Sequence, residues 1–205
     1  MSDSRVRIAR RVTKFLQNGD LVNLGIGLPT LVANYLPEGL EVEFQSENGL
    51  IGLGGAPETG QEDQDITNAG AQPATLAMGA SCFDSAMSFA VIRGGHVGVT
   101  VLGALEVDQE GNLANWIVPG KMVPGMGGAM DLVAGAKTVI VAMEHCTLPL
   151  TASRRVKYIV TELAVLKVTE HGLELMETAP GVTPGEVQEK TEATLLIPDT
   201  VGCME

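Results

Sequence analysis

The hydrophobic pattern of the chain alternates between helical and strand-like stretches from its start. Apolar residues recur at helical spacing over 4–18, and the pattern predicts a helix there that ends at Gly19. Short apolar segments predict strands at 21–24 and 41–45, with a helix at 30–35 between them. This alternation is typical of an α/β protein with a mainly parallel sheet and helices on its faces.

The rest of the chain continues the same alternation. Continuous runs of β-branched and apolar residues at 97–102 and 138–143 predict central strands that are covered on both faces. The other predicted elements are helices at 84–93, 130–136 and 184–191 and strands at 158–161, 164–168, 173–177 and 194–197. A length of 205 residues with 45% apolar residues fits one domain over 1–205.

The charge of the chain argues against two classes of partner. The formal net charge is -12, whereas nucleic acids and anionic membranes are bound by clustered Lys and Arg. One short basic cluster near the N-terminus is interpreted as the solvated face of the first helix; it consists of Arg5, Arg7, Arg10, Arg11 and Lys14. The chain has no apolar run of about 18 residues and no apolar signal region, so we predict a cytoplasmic protein that binds neither nucleic acid nor membrane.

The cysteines and histidines give no sign of a metal centre. Three cysteines occur without a CxxC pair, and none of the three histidines has a second ligand at metal spacing. We therefore expect no metal and no disulfide framework, and the compartment is expected to be reducing.

The candidate for chemistry is Glu47, in the run Ser46-Glu47-Asn48-Gly49 just beyond the strand predicted at 41–45. The glycine-rich segment 52–57 follows at once. A carboxylate at a strand end, beside backbone that side chains do not cover, is typical of an exposed nucleophile. Composition alone favours a different interpretation, a solvent-facing turn residue, because most glutamates are exposed.

Two further glycine-rich segments lie where they can surround such a residue. The turn 25–29 follows the strand predicted at 21–24, and the carboxyl ends of parallel strands meet at one crevice. The passage 119–131 leads into a predicted helix, and the first backbone amides of a helix can bind a negatively charged group.

Several long motifs in order resemble one family, the β (B) subunits of family I CoA-transferases. This group acts on acetate, butyrate, acetoacetate or succinyl-CoA and 3-oxoacids. The motifs are residues 22–30, 45–50, 88–96, 112–116 and 125–131. The resemblance spans nearly the whole chain and implies a three-layer α/β/α arrangement with a mainly parallel sheet, the CoA-transferase (NagB/RpiA-like) fold.

The resemblance also implies roles for particular residues. Glu47 would be the nucleophile of a ping-pong reaction that passes through an acyl-glutamyl anhydride and a glutamyl-CoA thioester. The backbone of Gly128 and Ala129 would contact the oxyanion, and Asn23 would support the glutamate. Residues expected to bind substrate or CoA are Gly25, Gly27, Asn48, Gly52 and Gly54. Asn23 has the alternative role of bracing its turn, and Gly128 that of permitting close packing.

The family resemblance further implies a partner and a substrate class. The chain would act with a separate α subunit, in an α2β2 or α4β4 assembly, on acyl-CoA and a carboxylic acid; CoA is a substrate, and no cofactor is expected. The passage 114–122 is most similar to transferases for acetate, butyrate and acetoacetate, with a succinyl-CoA:3-oxoacid transferase as the alternative. The resemblance is interrupted at Cys146, where relatives carry a polar, Lys-rich stretch between 143–146 and 147–150, and Cys146 aligns with either side of that gap.

Two other functional classes stay open at this stage. A nucleotide-binding protein is suggested by the strand, the Gly25-Ile26-Gly27 turn and an acidic residue about 20 positions later, but Thr30 occupies the third glycine position. An acyl-CoA hydrolase would use the same intermediates with water as the acceptor. A non-catalytic assembly subunit is disfavoured by the intact run around Glu47.

Overall fold

The computed structural model describes residues 3–116, 120, 125–145 and 155–204. The helices are α1 (Asp3–Thr13), α2 (Ser85–Arg93), α3 (Ala129–Gly135) and α4 (Pro184–Glu189), and a 3₁₀ helix spans Leu28–Tyr35. The strands are β1 (Leu21–Leu24), β2 (Glu43–Ser46), β3 (Leu50–Leu53), β4 (Leu76–Cys82), β5 (Val99–Leu102), β6 (Glu106–Val107), β7 (Leu113–Ala114), β8 (Thr138–Ala142), β9 (Val156–Val160), β10 (Ala164–Thr169), β11 (Gly172–Thr178), β12 (Leu195–Leu196) and β13 (Gly202–Cys203).

Most strands in the described part of the chain belong to one sheet. Its order is β12-β11-β10-β9-β8-β5-β1-β2-β3-β4, and β13 pairs with β11. The central strands β9, β8, β5, β1 and β2 run parallel. Antiparallel pairs extend this centre on both sides, at β2-β3-β4 and at β9-β10-β11. The prediction of a mainly parallel sheet is confirmed.

Helices cover both faces of this sheet, as the three-layer prediction requires. On one face, Ile8 of α1 packs in an apolar cluster with Val101 of β5. On the other face, Ile92 of α2 and Leu132 of α3 pack with Leu102, the next residue of the same strand. Successive strand residues point to opposite faces, so the continuous apolar run of β5 fills both clusters at once.

The strands next to the site were not all predicted. β3 and β4 are missing from the sequence prediction because Gly52 interrupts the first and because most side chains of the second are exposed. The predicted helix at 4–18 ends as an α-helix at Thr13. From Lys14 to Leu16 each backbone N–H donates to the carbonyl three residues earlier, so the chain tightens into turns before Gly19.

Arg11 corrects the prediction that the basic cluster of the first helix is a solvated face. Arg11 is only 6% exposed, and its guanidinium forms a bidentate ion pair with Glu177 of β11. Nε and Nη2 of Arg11 donate to the two carboxylate oxygens, each over 2.6 Å. The pair fastens α1 to a strand far along the chain.

The Arg11–Glu177 pair leads to a stability prediction. Glu177→Gln leaves the Arg11 charge buried without its counterion, and we expect the free energy of unfolding to fall by about 2 kcal/mol. This is below the ~3–5 kcal/mol typical of fully buried pairs, because water reaches part of Glu177. Urea unfolding measures the change. Glu170→Gln, at an exposed position just before β11, is the control and should leave the midpoint unchanged. Equal effects of the two variants would contradict the assignment.

Candidate active site

Glu47 lies in the tight turn that joins β2 to β3. The N–H of Gly49 donates to the carbonyl of Ser46 over 3.0 Å and closes this turn. Gly49 has a φ of 119°, and a Cβ there would collide with the carbonyl of Phe83. Glycine is therefore required at this position, and the turn holds the Glu47 side chain at the carboxyl end of β2.

The Glu47 side chain faces a cavity of about 510 Å³. The cavity is bordered by the carboxyl ends of two neighbouring parallel strands, with Gly25 and Ile26 following β1 and residues 103–105 following β5. Residues 125–129, which lead into α3, form another side. The cavity is thus at the edge of the sheet where α/β proteins bind ligands.

The carboxylate of Glu47 is held directly against the backbone before α3. Burial raises the pKa of Glu47 above its ordinary value; a hydrogen bond from the Gly128 backbone opposes this effect, and repulsion from Asp131 adds to it. A Cβ on Gly128 would overlap the Glu47 carboxylate and would lie 3.2 Å from Cε1 of Phe89. The absence of a side chain at Gly128 is therefore what allows the amide and the carboxylate to meet.

Ala129 is placed differently from its neighbour. Its N–H donates to the carbonyl of Met126 over 3.1 Å, and its side chain is buried at the start of α3. Both residues border the cavity, but the interaction with the Glu47 carboxylate comes from Gly128.

Asn23 is buried in a polar network beneath Glu47. Its Nδ2 donates to Oε1 of Gln45 over 2.6 Å, and the hydroxyl of Thr100 donates to its Oδ1 over 3.4 Å. Nε2 of Gln45 donates in turn to the hydroxyl of Ser88 over 2.8 Å. Asn23 therefore supports the strand that carries Glu47, with Gln45 between them.

Sequence reasoning missed three members of this network: Gln45, Ser88 and Thr100. The available signal was a polar residue at a fully buried position, as with Thr100 inside the apolar run of β5. Buried polar side chains need hydrogen-bond partners, but the sequence does not show which residues supply them.

Comparison with known proteins identifies the family. A family model described as coenzyme A transferase matches residues 5–190. The chain belongs to the coenzyme A transferase family. It is 57% identical over 203 residues to the β subunit of the acetate CoA-transferase of Escherichia coli K12, covering 93% of each chain. It is 49% identical over 213 residues to the B subunit of a probable succinyl-CoA:3-ketoacid coenzyme A transferase of Bacillus subtilis, covering 98% of this chain and 99% of the relative.

A solved structure supports the same assignment. An acyl-CoA transferase from Escherichia coli O157:H7, crystallised as a thioester complex with CoA, superposes with a TM-score of 0.76 at 26% identity. The alignment covers all of this chain and 44% of that longer one. The relatives show that the chain belongs to an enzyme of the CoA-transferase type. They favour this class over the nucleotide-binding protein that was the alternative.

The other residues expected to bind substrate in this CoA-transferase are spread around the site. Gly25 borders the cavity with Glu47. Gly27 precedes the 3₁₀ helix with a φ of 88°, and Asn48 donates through Nδ2 to the carbonyl of Thr67 over 2.8 Å. The amide of Asn48 thus holds a neighbouring loop.

The glycines of the segment 52–57 do not border the cavity that Glu47 faces. Gly52 has a φ of 84°, and a Cβ there would approach Cα of Ala80 in β4 to 2.8 Å, so this glycine permits strand packing. Gly54 borders a second cavity of about 420 Å³ beside the 3₁₀ helix, together with Ser46. The structure therefore brings Glu47, Gly25, Gly128 and Ala129 to one cavity and Gly54 to another.

Neither a metal site nor a membrane-spanning helix is found in the described ranges. These ranges contain no group of three or more His, Cys, Asp or Glu side chains arranged to hold a metal ion. None of the helices in them has the length and apolar character needed to span a bilayer. Cys146 and positions 117–119 and 121–122 of the substrate-related passage lie outside the described residues.

Proposed function

We propose that this chain is the β subunit of a CoA-transferase that moves CoA from a short-chain acyl-CoA to a carboxylic acid through a thioester on Glu47. The observation that carries the proposal is the Glu47 carboxylate, half-buried at a cavity and facing the Gly128 amide. The solved relative crystallised as a thioester complex with CoA supports the intermediate.

The reaction would proceed by two exchanges at one carboxylate. A Glu47 oxygen attacks the thioester carbonyl, and the C–S bond breaks. CoA departs as a thiolate, and the acyl group is now joined to Glu47 as an acyl-glutamyl anhydride. The thiolate then attacks the Glu47 carbonyl carbon and releases the acyl group as a carboxylate. The incoming acid repeats both steps in reverse, which frees Glu47. Each tetrahedral intermediate carries an oxyanion, and a fixed backbone N–H such as that of Gly128 stabilises such a charge.

Burial of Glu47 fits this chemistry in two ways. A carboxylate that water solvates poorly is a stronger nucleophile, and the same lack of water protects the anhydride and the thioester from hydrolysis. The same incomplete solvation raises the pKa of Glu47 above its ordinary value. Attack requires the anionic form, so activity would be lost as the pH falls through the pKa of Glu47.

Exposed apolar side chains near the cavity support a partner subunit. Ile26 and Met126 border the cavity and are 59% and 37% exposed, and Met87 and Met130 on the adjacent helices are each 56% exposed. Exposed apolar side chains on the elements around a cavity are typical of a protein interface. The relatives named as β or B subunits support an α subunit as the occupant, in an assembly such as α2β2 or α4β4. An acidic chain also leaves the CoA phosphates to backbone amides or to the partner.

For the substrates we propose acetate, butyrate or acetoacetate, with a succinyl-CoA:3-oxoacid pair as the alternative. The relative named for acetate is 57% identical, and the relative named for succinyl-CoA and a 3-ketoacid is 49% identical. Both support the same reaction class with different acids.

Initial-rate kinetics of the chain co-expressed with its α subunit test the proposal. Varying acetoacetyl-CoA at several fixed acetate concentrations should give parallel reciprocal plots, as expected for ping-pong transfer. Intersecting plots would contradict a covalent intermediate. Release of free CoA at the same rate with and without acetate would identify a hydrolase.

A further inference from the structure

An ion pair links the two helices on the face of the sheet where the site lies. Nε of Arg93, the last residue of α2, donates to Oδ1 of Asp131 over 2.7 Å, and Nη2 donates to Oδ2 over 3.2 Å. Asp131 is in the first turn of α3, three residues after Gly128. The pair is bidentate, so it fixes the orientation of both side chains.

The aromatic ring of Phe89 connects this pair to the Glu47 contact. The Arg93 guanidinium lies 5.3 Å from the centre of the Phe89 ring. On the same ring, Cε1 lies 3.2 Å from the position that a Cβ on Gly128 would occupy. The pair therefore borders the segment that presents the Gly128 amide to Glu47.

The pair is not explained by stability. The Arg93 side chain is 65% exposed and that of Asp131 is 33% exposed. Ion pairs in such contact with water contribute little to the free energy of unfolding. Its position beside the nucleophile is what sets it apart from an ordinary surface pair.

The charges around Glu47 give the pair a consequence for catalysis. Asp131 repels the Glu47 carboxylate and raises its pKa, and the hydrogen bonds from Arg93 lower the pKa of Asp131 and keep it anionic. Among the described residues, Glu47 is the one titratable side chain that lines the cavity. The rest of the lining comes from the ends of β1 and β5, Ala69, Asn115 and residues 125–129 with Leu132. Among the described residues, Asp131 is therefore the charged group that acts on Glu47, and Arg93 acts through Asp131.

We propose that Arg93 is a positioning residue whose positive charge offsets that of ionised Asp131 and so keeps the Glu47 carboxylate anionic and reactive. The inference rests on the proposed function, because it concerns Glu47 as a nucleophile. Asp131 would be harmful to the reaction without its partner, since a free negative charge there opposes ionised Glu47 and the anionic substrate acid alike. Arg93 removes that effect without entering the cavity.

A cycle of variants in the co-expressed enzyme tests this role: Arg93→Met, Asp131→Asn and the double variant. We measure kcat/KM from pH 5 to 8, where the acid limb reports protonation of the free enzyme's nucleophile. In Arg93→Met the limb should move to higher pH, with about a fivefold loss of kcat/KM on the acid limb and less than a twofold change on the alkaline plateau. In Asp131→Asn it should move to lower pH. The double variant should return close to the parent.

The control is Lys137→Met, which removes an exposed positive charge just after α3 and should leave the profile unchanged. A role confined to tethering the helices predicts another result: equal losses at every pH in both single variants, with no recovery in the double variant. That result would overturn the proposal, as would an unaltered profile in Arg93→Met. The parent enzyme is first tested for CoA attached to Glu47. Absence of that adduct would mean that the proposed function fails. If the parent and Arg93→Met both carry the adduct but the acid limb is not shifted in Arg93→Met, only the proposed role of Arg93 fails.

Discussion

Replacing Glu47 by Gln is expected to lower CoA transfer by at least about a thousandfold, because the amide is a poor nucleophile and forms no anhydride with the acyl group. The change is nearly isosteric, so the cavity keeps its shape. Transfer from acetoacetyl-CoA to acetate, followed by absorbance or by chromatography of the acyl-CoA products, measures the loss. The matched control is Glu43→Gln at an exposed position of β2, the strand before Glu47, and this variant should keep parent activity.

The same variant has an expected effect on stability that separates lost chemistry from lost folding. Burial raises the pKa of Glu47 in the folded protein, so the folded state binds this proton more tightly than the unfolded chain does. Below the ordinary glutamate pKa both states are protonated, and the residue carries no penalty. As the pH rises through the raised pKa, ionisation lowers the free energy of unfolding of the parent. Glu47→Gln avoids this cost, and it should unfold at higher urea than the parent at neutral pH and at similar urea in acid.

An inactive Glu47→Gln that is also less stable than the parent at neutral pH would contradict the description of Glu47 as a poorly solvated carboxylate. A variant that retains transfer would contradict the assignment of the nucleophile.

Replacing Gly128 by Ala should lower kcat by about a hundredfold. The backbone of Gly128 has a φ of -80° and a ψ of 5°, which alanine adopts without strain. The added methyl group would instead overlap the Glu47 carboxylate and would lie 3.2 Å from Phe89, so it would displace the nucleophile from the amide. A displacement of about 1 Å at a reacting group is enough for a loss of this size.

Gly185→Ala in α4 is the control for this experiment. A Cβ there would have its nearest neighbour 4.0 Å away, so transfer should be unchanged. Circular dichroism and urea unfolding confirm that each variant is folded. Parent-like transfer by Gly128→Ala would contradict the close approach of the amide to Glu47.

The position of Glu47 could be predicted from sequence because its signals are local. The strand before it, the turn residues around it and the glycines after it all lie within a dozen positions. The central strands were equally predictable, since β5 and β8 are runs of β-branched and apolar residues, as is typical of strands covered on both faces.

The contacts that tune Glu47 depend on residues distant in the chain. Gly128 follows Glu47 by 81 positions, and Arg93 and Asp131 are 38 positions apart. Asn23 was linked to the glutamate by resemblance, but the structure gives its hydrogen bonds to Gln45 and Thr100. A pattern of residue types shows that a buried polar group needs a partner, whereas only the fold shows which one it finds.

Arg11 shows the same limit for charge. Its spacing on α1 is that of an exposed face, and it is buried because β11 brings Glu177 to it from 166 positions away. Charged residues on a helix are ordinarily solvated, so a prediction from sequence follows the common case.

Intact mass and peptide mapping after incubation with acetoacetyl-CoA, without an acceptor acid, test the central claim most directly. We expect the chain, co-expressed with its α subunit, to gain the mass of CoA through a thioester that maps to Glu47 and to lose it on addition of acetate as acetyl-CoA appears. A fully active enzyme that carries no CoA on Glu47, or that carries it on another residue, would contradict the account.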